Sequence, residues 1–351
     1  MTARHLPYFA LSLCLACGAP AEEDTQASDE TSAEGDGDGD PSGDGDGDGD
    51  PSGDGDGDAS GDGDGDASGD GDGDASGDGD GDPSGPLCAG HAELCDRPYD
   101  QVAFATTHNS HAALDDGFSA FNANHQSGMA AQLDAGIRGF LIDTYYDQAA
   151  PDPQPILLCH GPCGLGSVPH LDTLELVVEF LQQNPTEFVS FIYQDGVSGE
   201  DLALEYEAAG AIDLVYTHEL GSPWPTLGEM IEADTRLVVT VENGGPPPAW
   251  HHNIWEHGWD TPYGPSSAEE LSCALNRGSA DNQLFLVNHW VNNGLGLPSA
   301  ADADIVNQYE PLLARAQECQ AMWDHIPNFL AVDFWERGDV VAVVNTLNEV
   351  D

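Results

Sequence analysis

The sequence predicts an α/β protein: an irregular (β/α)8 TIM-like barrel preceded by a disordered Asp/Gly-rich linker. Three observations carry that expectation. From about residue 100 onward, short apolar runs alternate with helical patterns, the order expected of parallel β/α units. Most of these runs end in a polar residue suited to the rim of such a barrel: His108-Asn109, Asp143, His160, Gln194-Asp195, Glu242-Asn243, His289 and Asp333. Residues 35–83 are almost entirely Gly and Asp, a composition that cannot bury enough apolar surface to offset chain entropy.

The amino terminus reads as an export signal. MTARH supplies a basic start, and LPYFALSLCLA an apolar run too short to cross a bilayer. Residues 1–17 fit a lipoprotein-type signal ending at Cys17, the acylated residue in that reading, although Cys14 stands where Leu is usual. Residues 18–83 form an acidic linker extended by its own charge, with repeated Pro-Ser and Ala-Ser units. Residues 84–351 are long enough for one large domain. The expected location is the cell envelope, lipid-anchored at the outer membrane or cell surface; plain secretion is the alternative.

Charge narrows the partners. The 351-residue chain has 64 acids against seven basic residues, all of them Arg, for a net charge of −57. Residues 1–83 hold 25 acids and one Arg, so the folded part itself carries 39 acids and six Arg. Such a field repels nucleic acid and anionic surfaces. A local cation can still invert it inside a pocket, so a phosphodiester substrate stays open.

The elements follow in chain order. LCAGHAELCDRPYD is an entry segment, and QVAFAT the first strand. SGMAAQLDAG is a helix stopped by Gly136. GFLID is the second strand and PILLC the third. In LDTLELVVEFLQQNP, Leu174, Val177, Val178 and Leu181 share one helical face, and Asn184-Pro185 ends the helix. FVSFIY is the fourth strand, PTLGEMIEAD a helix and RLVVTV the fifth strand. The stretch 246–267, rich in Pro, His and Trp, reads as a long loop, and the sixth strand has no clear place. LFLVNHW is a late strand, 301–323 a helix, NFLAVDF the last strand and DVVAVVNTLN a closing amphipathic helix.

Six cysteines follow the signal, an even number that suits disulfides in an exported chain. Order and closeness pair Cys88 with Cys95, Cys159 with Cys163, and Cys273 with Cys319. No CxxC pair supports a zinc site.

The runs ATTHNSH, QLDAGIRGFLIDTYYD, LLCHGPC, NPTEFVSFIY, TLGEMI and AVDFWERGDVVAVVNTLN together resemble the X domain of phosphatidylinositol-specific phospholipase C. The resemblance covers nearly all of 100–348 and looks closest to a secreted bacterial branch. It implies His108 as general base and His160 as general acid. It implies Asn109 and Asp143 as calcium ligands of the calcium-dependent branch. The other acidic ligand of that branch falls at Leu141, which is apolar. Asp195 or Glu242, both at expected strand ends, could supply the missing carboxylate, since calcium needs several oxygen ligands. Arg138 lies in the family's Gly-x-Arg turn, where the resemblance implies a structural role ahead of substrate contact, and His289 at a strand end is a candidate for substrate contact. Asp333 follows the last strand, where it could orient His108.

The chemistry agrees with the resemblance. Phosphoryl transfer needs a base for the nucleophile, an acid for the leaving oxygen, and positive charge at the nonbridging oxygens. Two histidines can perform both proton transfers near neutral pH. The expected protein is a monomeric, membrane-attached phosphodiesterase of the phospholipase C type, assisted by calcium, acting on a phospholipid or a small phosphodiester. A non-inositol diester is one alternative; an impaired barrel serving as a surface binding protein, favoured by Leu141, is another. The His-Arg-Gly signature of glycerophosphodiesterases is absent, because the chain reads His108-Asn109-Ser110.

Overall fold

The computed structural model describes residues 87–350. The expected signal, the expected acylation site at Cys17 and the Asp-Gly linker lie outside the described residues.

Eleven strands form one curled sheet. Strands β1 (Phe104–Thr107), β2 (Gly139–Tyr146), β5 (Val189–Asp195), β7 (Leu237–Val241), β9 (Gly258–Asp260), β10 (Leu284–His289) and β11 (Phe329–Val332) are its main staves. The short strands β6 (Val215–Tyr216) and β8 (His252–Asn253) share the outer edge of β7, one after the other. The parallel ladder runs β6-β7-β5-β2-β1-β11-β10-β9. Among the described residues β8 and β9 are not hydrogen-bonded, so the barrel is irregular along that seam.

The helices are α1 (Met129–Asp134), α2 (His170–Gln183), α3 (Gly199–Ala208), α4 (Leu227–Glu232), α5 (Ile254–His257), α6 (Ala300–Val306), α7 (Tyr309–Trp323) and α8 (Val340–Leu347). The expected face of α2 is buried: Leu174, Val177 and Leu181 are fully enclosed. A capping box starts α4, with the Glu229 N–H donating to Thr226 Oγ1 and the Thr226 N–H donating back to the Glu229 carboxylate. Gly136 follows α1 at φ 98°, where a side chain would be strained. Gly139 lets β2 lie against β1, since a Cβ there would collide with Thr106.

Side-chain alternation along the staves divides the core in two. Phe104, Leu141, Ile192, Val238, Leu286, Phe329 and Ala331 point inward and fill the barrel. Ala105, Phe140, Ile142, Phe191, Val239, Phe285, Val287 and Leu330 point outward beneath the helices. Full burial of each large apolar side chain contributes about 1.5–3 kcal/mol.

Four expectations change. PILLC is not a barrel stave: β3 (Ile156–Leu158) pairs antiparallel with β2 and with β4 (Val168–Pro169), forming a flap beside the barrel. The stretch 246–267 is not all loop; it contains β8, α5 and the missing stave β9, and His251 and His252 within it are buried. The 301–323 helix is two helices, broken where the Asn307 side chain turns to donate to the Asp333 carbonyl at 2.6 Å. Helix α3 had no counterpart in the sequence reading; Ser198 caps it, and only Leu202 and Tyr206 of it are buried, so its apolar signal is thin.

The three disulfides are the expected ones, Cys88–Cys95, Cys159–Cys163 and Cys273–Cys319. Cys273–Cys319 closes the longest loop, with a sequence separation of 46. Replacing both of its cysteines by alanine is expected to cost about 3 kcal/mol of stability, the middle of the usual range for such a bridge. Denaturant titration checks this; an unchanged midpoint would contradict it.

Candidate active site

A cavity of about 390 Å³ opens at the carboxyl ends of the staves. His108, Asn109, Asp143, His160, Glu242, Arg277, Asn288 and Trp290 are among its lining residues. The floor is apolar, with Leu141 and Ile192 rising from the barrel interior.

Backbone pairing delivers His108 to this place. The β1–β11 ladder continues one step beyond the strands, with the His108 N–H donating to the Val332 carbonyl at 3.0 Å. His108 therefore sits beside Asp333, and its Nδ1–H donates to Asp333 Oδ1 at 2.9 Å. The carboxylate acceptor assigns the tautomer and leaves Nε2 as the lone-pair nitrogen. Asp333 is almost wholly enclosed, and Asn124 Nδ2 also donates to its Oδ1 at 2.9 Å. Trp290 stacks flat on the His108 ring, at 3.8 Å between centroids and 6° between planes. Asn109 adopts φ 48°, a left-handed turn that Asn tolerates well, and its Nδ2 lies 3.2 Å from His108 Nε2.

His160 reaches the cavity from another direction. The Cys159–Cys163 bridge closes its loop. Its Nδ1–H donates to the Asn122 carbonyl at 2.6 Å, and Asn122 Nδ2 donates back to the His160 carbonyl at 2.9 Å. The two catalytic candidates thus expose Nε2, one ring backed by a carboxylate and the other by a neutral carbonyl. Burial lowers the His160 pKa, offset in part by the Asn122 hydrogen bond. Two further histidines support the loop without lining the cavity: burial pushes His111 down to about 3 and His125 to about 4. His125 Nε2–H donates to the His108 carbonyl at 2.8 Å.

Asp143 stands on the inward face of β2, two residues above Leu141. Burial pushes its carboxyl up to about 7, against the opposing effect of His108. The folded value exceeds the ordinary 3.8. The stability linked to this proton is fully present below about pH 4 and is lost as the pH rises through about 7. Asp143→Asn should abolish that dependence, gaining on the wild type between about pH 4 and 8. Denaturant midpoints across that range check it, and a constant difference between the two proteins would contradict it.

Three expected site residues lie elsewhere. Arg138 is held by Glu187 at 2.8 Å and by the carbonyls of Leu133 and Ile137, and it does not line the cavity. His289 points out of the barrel, its Nε2–H donating to the Val306 carbonyl at 3.0 Å. Asp195 also points away, because Ile192 and Gln194 take the inward positions of β5; its Oδ1 accepts the Asn243 N–H at 2.7 Å.

The proposed calcium set does not fit. Asn109, Asp143 and Glu242 share the cavity, but Glu242 Oε2 accepts from Arg277 Nη1 at 3.0 Å and Asp195 is turned away. Among the described residues no group of three His, Cys, Asp or Glu side chains is placed to hold a metal ion. Calcium takes six to eight oxygens, and a guanidinium among the candidate ligands opposes it.

Arg277 was missed from the sequence. Its Nε and Nη2 donate to Asp260 Oδ2 at 3.0 and 2.6 Å, and it packs over Trp255 and Tyr263. Burial works against its charge, but the hydrogen bonds to Asp260 and the attraction of Glu242 outweigh that and hold it cationic.

The PI-PLC X 1 family model matches residues 94–348. The chain belongs to the PI-PLC X domain family. Curated relatives agree with that placement. An uncharacterized secreted protein of Arthroderma benhamiae is 27% identical over 293 residues, spanning 75% of this chain and 64% of the relative. A PI-PLC X domain-containing protein 1 of the same fungus is 28% identical over 281 residues, spanning 75% of this chain and 89% of the relative. These two relatives are fungal, not members of the secreted bacterial branch expected from the sequence. The chain thus spans less than two thirds of the first of them. Among solved structures, a mutant of the phosphatidylinositol-specific phospholipase C from Staphylococcus aureus superposes with a TM-score of 0.52 at 14% identity. It covers 73% of this chain and 95% of that one, a likeness of fold. The family's α/β barrel is therefore the architecture of this PI-PLC X chain, with His108, His160 and Asp333 at its mouth.

Proposed function

We propose that the protein is an exported phosphodiesterase of the phospholipase C type, with His108 as general base and His160 as general acid. The observation that supports this best is the unequal backing of two histidines facing one cavity: Asp333 behind His108, the Asn122 carbonyl behind His160. A carboxylate behind Nδ1 stabilises the imidazolium that forms when Nε2 takes a proton. A carbonyl behind Nδ1 fixes the ring in either protonation state without favouring the cation as strongly.

His108 Nε2 removes the proton from the attacking hydroxyl, whether a neighbouring hydroxyl of the substrate or water. That oxygen bonds to phosphorus as the bond to the leaving oxygen breaks, and His160 Nε2–H protonates the leaving oxygen. An anionic diester between the rings favours the protonated form of His160, offsetting the burial that lowers its pKa. The acidic surface and the scarcity of basic side chains favour a singly charged diester, as a phospholipid or a small soluble ester. The leader, with Cys17 as its acylation site, would place the enzyme outside the cytoplasm on a lipid anchor, and the secreted relative supports export.

The test is diester cleavage by the purified full chain against phosphatidylinositol, phosphatidylcholine and glycerophosphodiesters. Release of the diacylglycerol or alcohol from at least one of them is expected. A folded protein inert on all of them would favour the surface-binding alternative. Asp333→Asn is expected to lower kcat by about 10²-fold, the lower end for general base catalysis when the base is misoriented but still present, with little change in KM; an unchanged kcat would remove Asp333 from the mechanism.

A further inference from the structure

Positive charge at the reacting phosphorus has to come from somewhere, and the cavity holds little of it. Among the described residues lining the cavity, Arg277 is the sole Lys or Arg. The other arginines with placed side-chain partners are engaged elsewhere: Arg138 with Glu187, Arg236 with Asp234, Arg315 with backbone carbonyls, and Arg337 with Asp304.

Arg277 is also held as a binding group would be. Asp260, fully buried at the end of β9, takes two of its N–H groups through one oxygen. That same oxygen accepts from Asn288 Nδ2 at 3.1 Å, which fixes the carboxylate in turn. Trp255 lies 4.1 Å and Tyr263 5.0 Å from the guanidinium carbon, limiting its swing. Tyr263 stacks at 6.2 Å on Trp290, which stacks on His108, so one aromatic row connects the cation with the base. Of the five guanidinium N–H groups, Asp260 and Glu242 take three. One remains on each terminal nitrogen, and a pair of this kind matches two oxygens of a phosphate.

We propose that Arg277 binds the nonbridging oxygens of the phosphodiester and supplies the transition-state charge stabilisation that the proposed calcium set cannot. This rests on the phosphodiesterase reading above. The proposal accounts for the poor fit of calcium, because the guanidinium already occupies the carboxylate through which Glu242 would bind metal.

The test uses the full chain, with Arg277→Ala and Arg277→Lys assayed in chelator beside His108→Ala. The substrates are the cleaved diester and its two phosphorothioate diastereomers. Wild-type activity is expected to survive chelation. Arg277→Ala should lose about 10²–10³-fold in kcat, the usual cost of deleting one oxyanion donor, and recover several-fold with added guanidinium. Arg277→Lys should fall between the two and lose most of the preference between diastereomers, which a structural defect would not single out. If Arg277→Ala fails to fold, the diastereomer preference of Arg277→Lys decides alone. An unaltered preference with near-wild-type kcat, or activity lost to chelator and restored by calcium, overturns the proposal while leaving the histidine pair in place. Full activity in His108→Ala would instead overturn the phosphodiesterase reading beneath it.

Discussion

His108→Ala is expected to lower kcat by about 10³–10⁴-fold, the upper range for loss of general base catalysis combined with loss of a group that orders its neighbours. Without the ring, Asp333 keeps a buried carboxylate with Asn124 as its remaining side-chain partner, and the Trp290 face loses its stacking partner. Some loss of stability should accompany the variant, so activity must be compared on protein shown to be folded. His108→Gln is the useful control, since an amide fills the site but cannot shuttle the proton. A kcat within tenfold of wild type in either variant would contradict the assignment.

His160→Ala should be comparably severe on lipid diesters, about 10³-fold, with a more diagnostic pattern. An alkoxide leaving group needs a proton as it departs, whereas a nitrophenolate does not. The defect should therefore shrink sharply on a nitrophenyl phosphodiester, while the His108→Ala defect persists. Equal defects on both leaving groups would mean that His160 binds or positions substrate and does not act as the acid. The contrast also separates the two roles without relying on any pH profile.

How much of this was legible in the letters depends on strand parity. Parallel staves buried on both faces read as continuous apolar runs, so nothing local says which of two adjacent end residues turns inward. At β5 the letters Gln194-Asp195 favour the acid as a ligand, but Ile192 fixes the inward set and Gln194 follows it. At β10 the inward set is Leu284, Leu286, Asn288 and Trp290, which leaves His289 facing Val306. Asp143, Glu242 and Asp333 fell on the right parity. Arg277 sits in a loop between β9 and β10, where no periodicity operates; the sole hint was the scarcity of cations in so acidic a chain. The histidine pair was found because the flanking runs carry a family likeness, which parity alone could not have supplied. PILLC was misplaced for a related reason: three apolar residues look the same in a barrel stave as in a hairpin beside it.

The most direct measurement is phosphorus NMR of phosphatidylinositol turned over by the full chain, beside His108→Ala and His160→Ala at matched folded concentration. The account predicts that the diester resonance gives way to product in the wild type, cyclic if a substrate hydroxyl attacks and open if water does, and stays unchanged in both variants over the same time. Consumption of the diester at similar rates in all three proteins would contradict it.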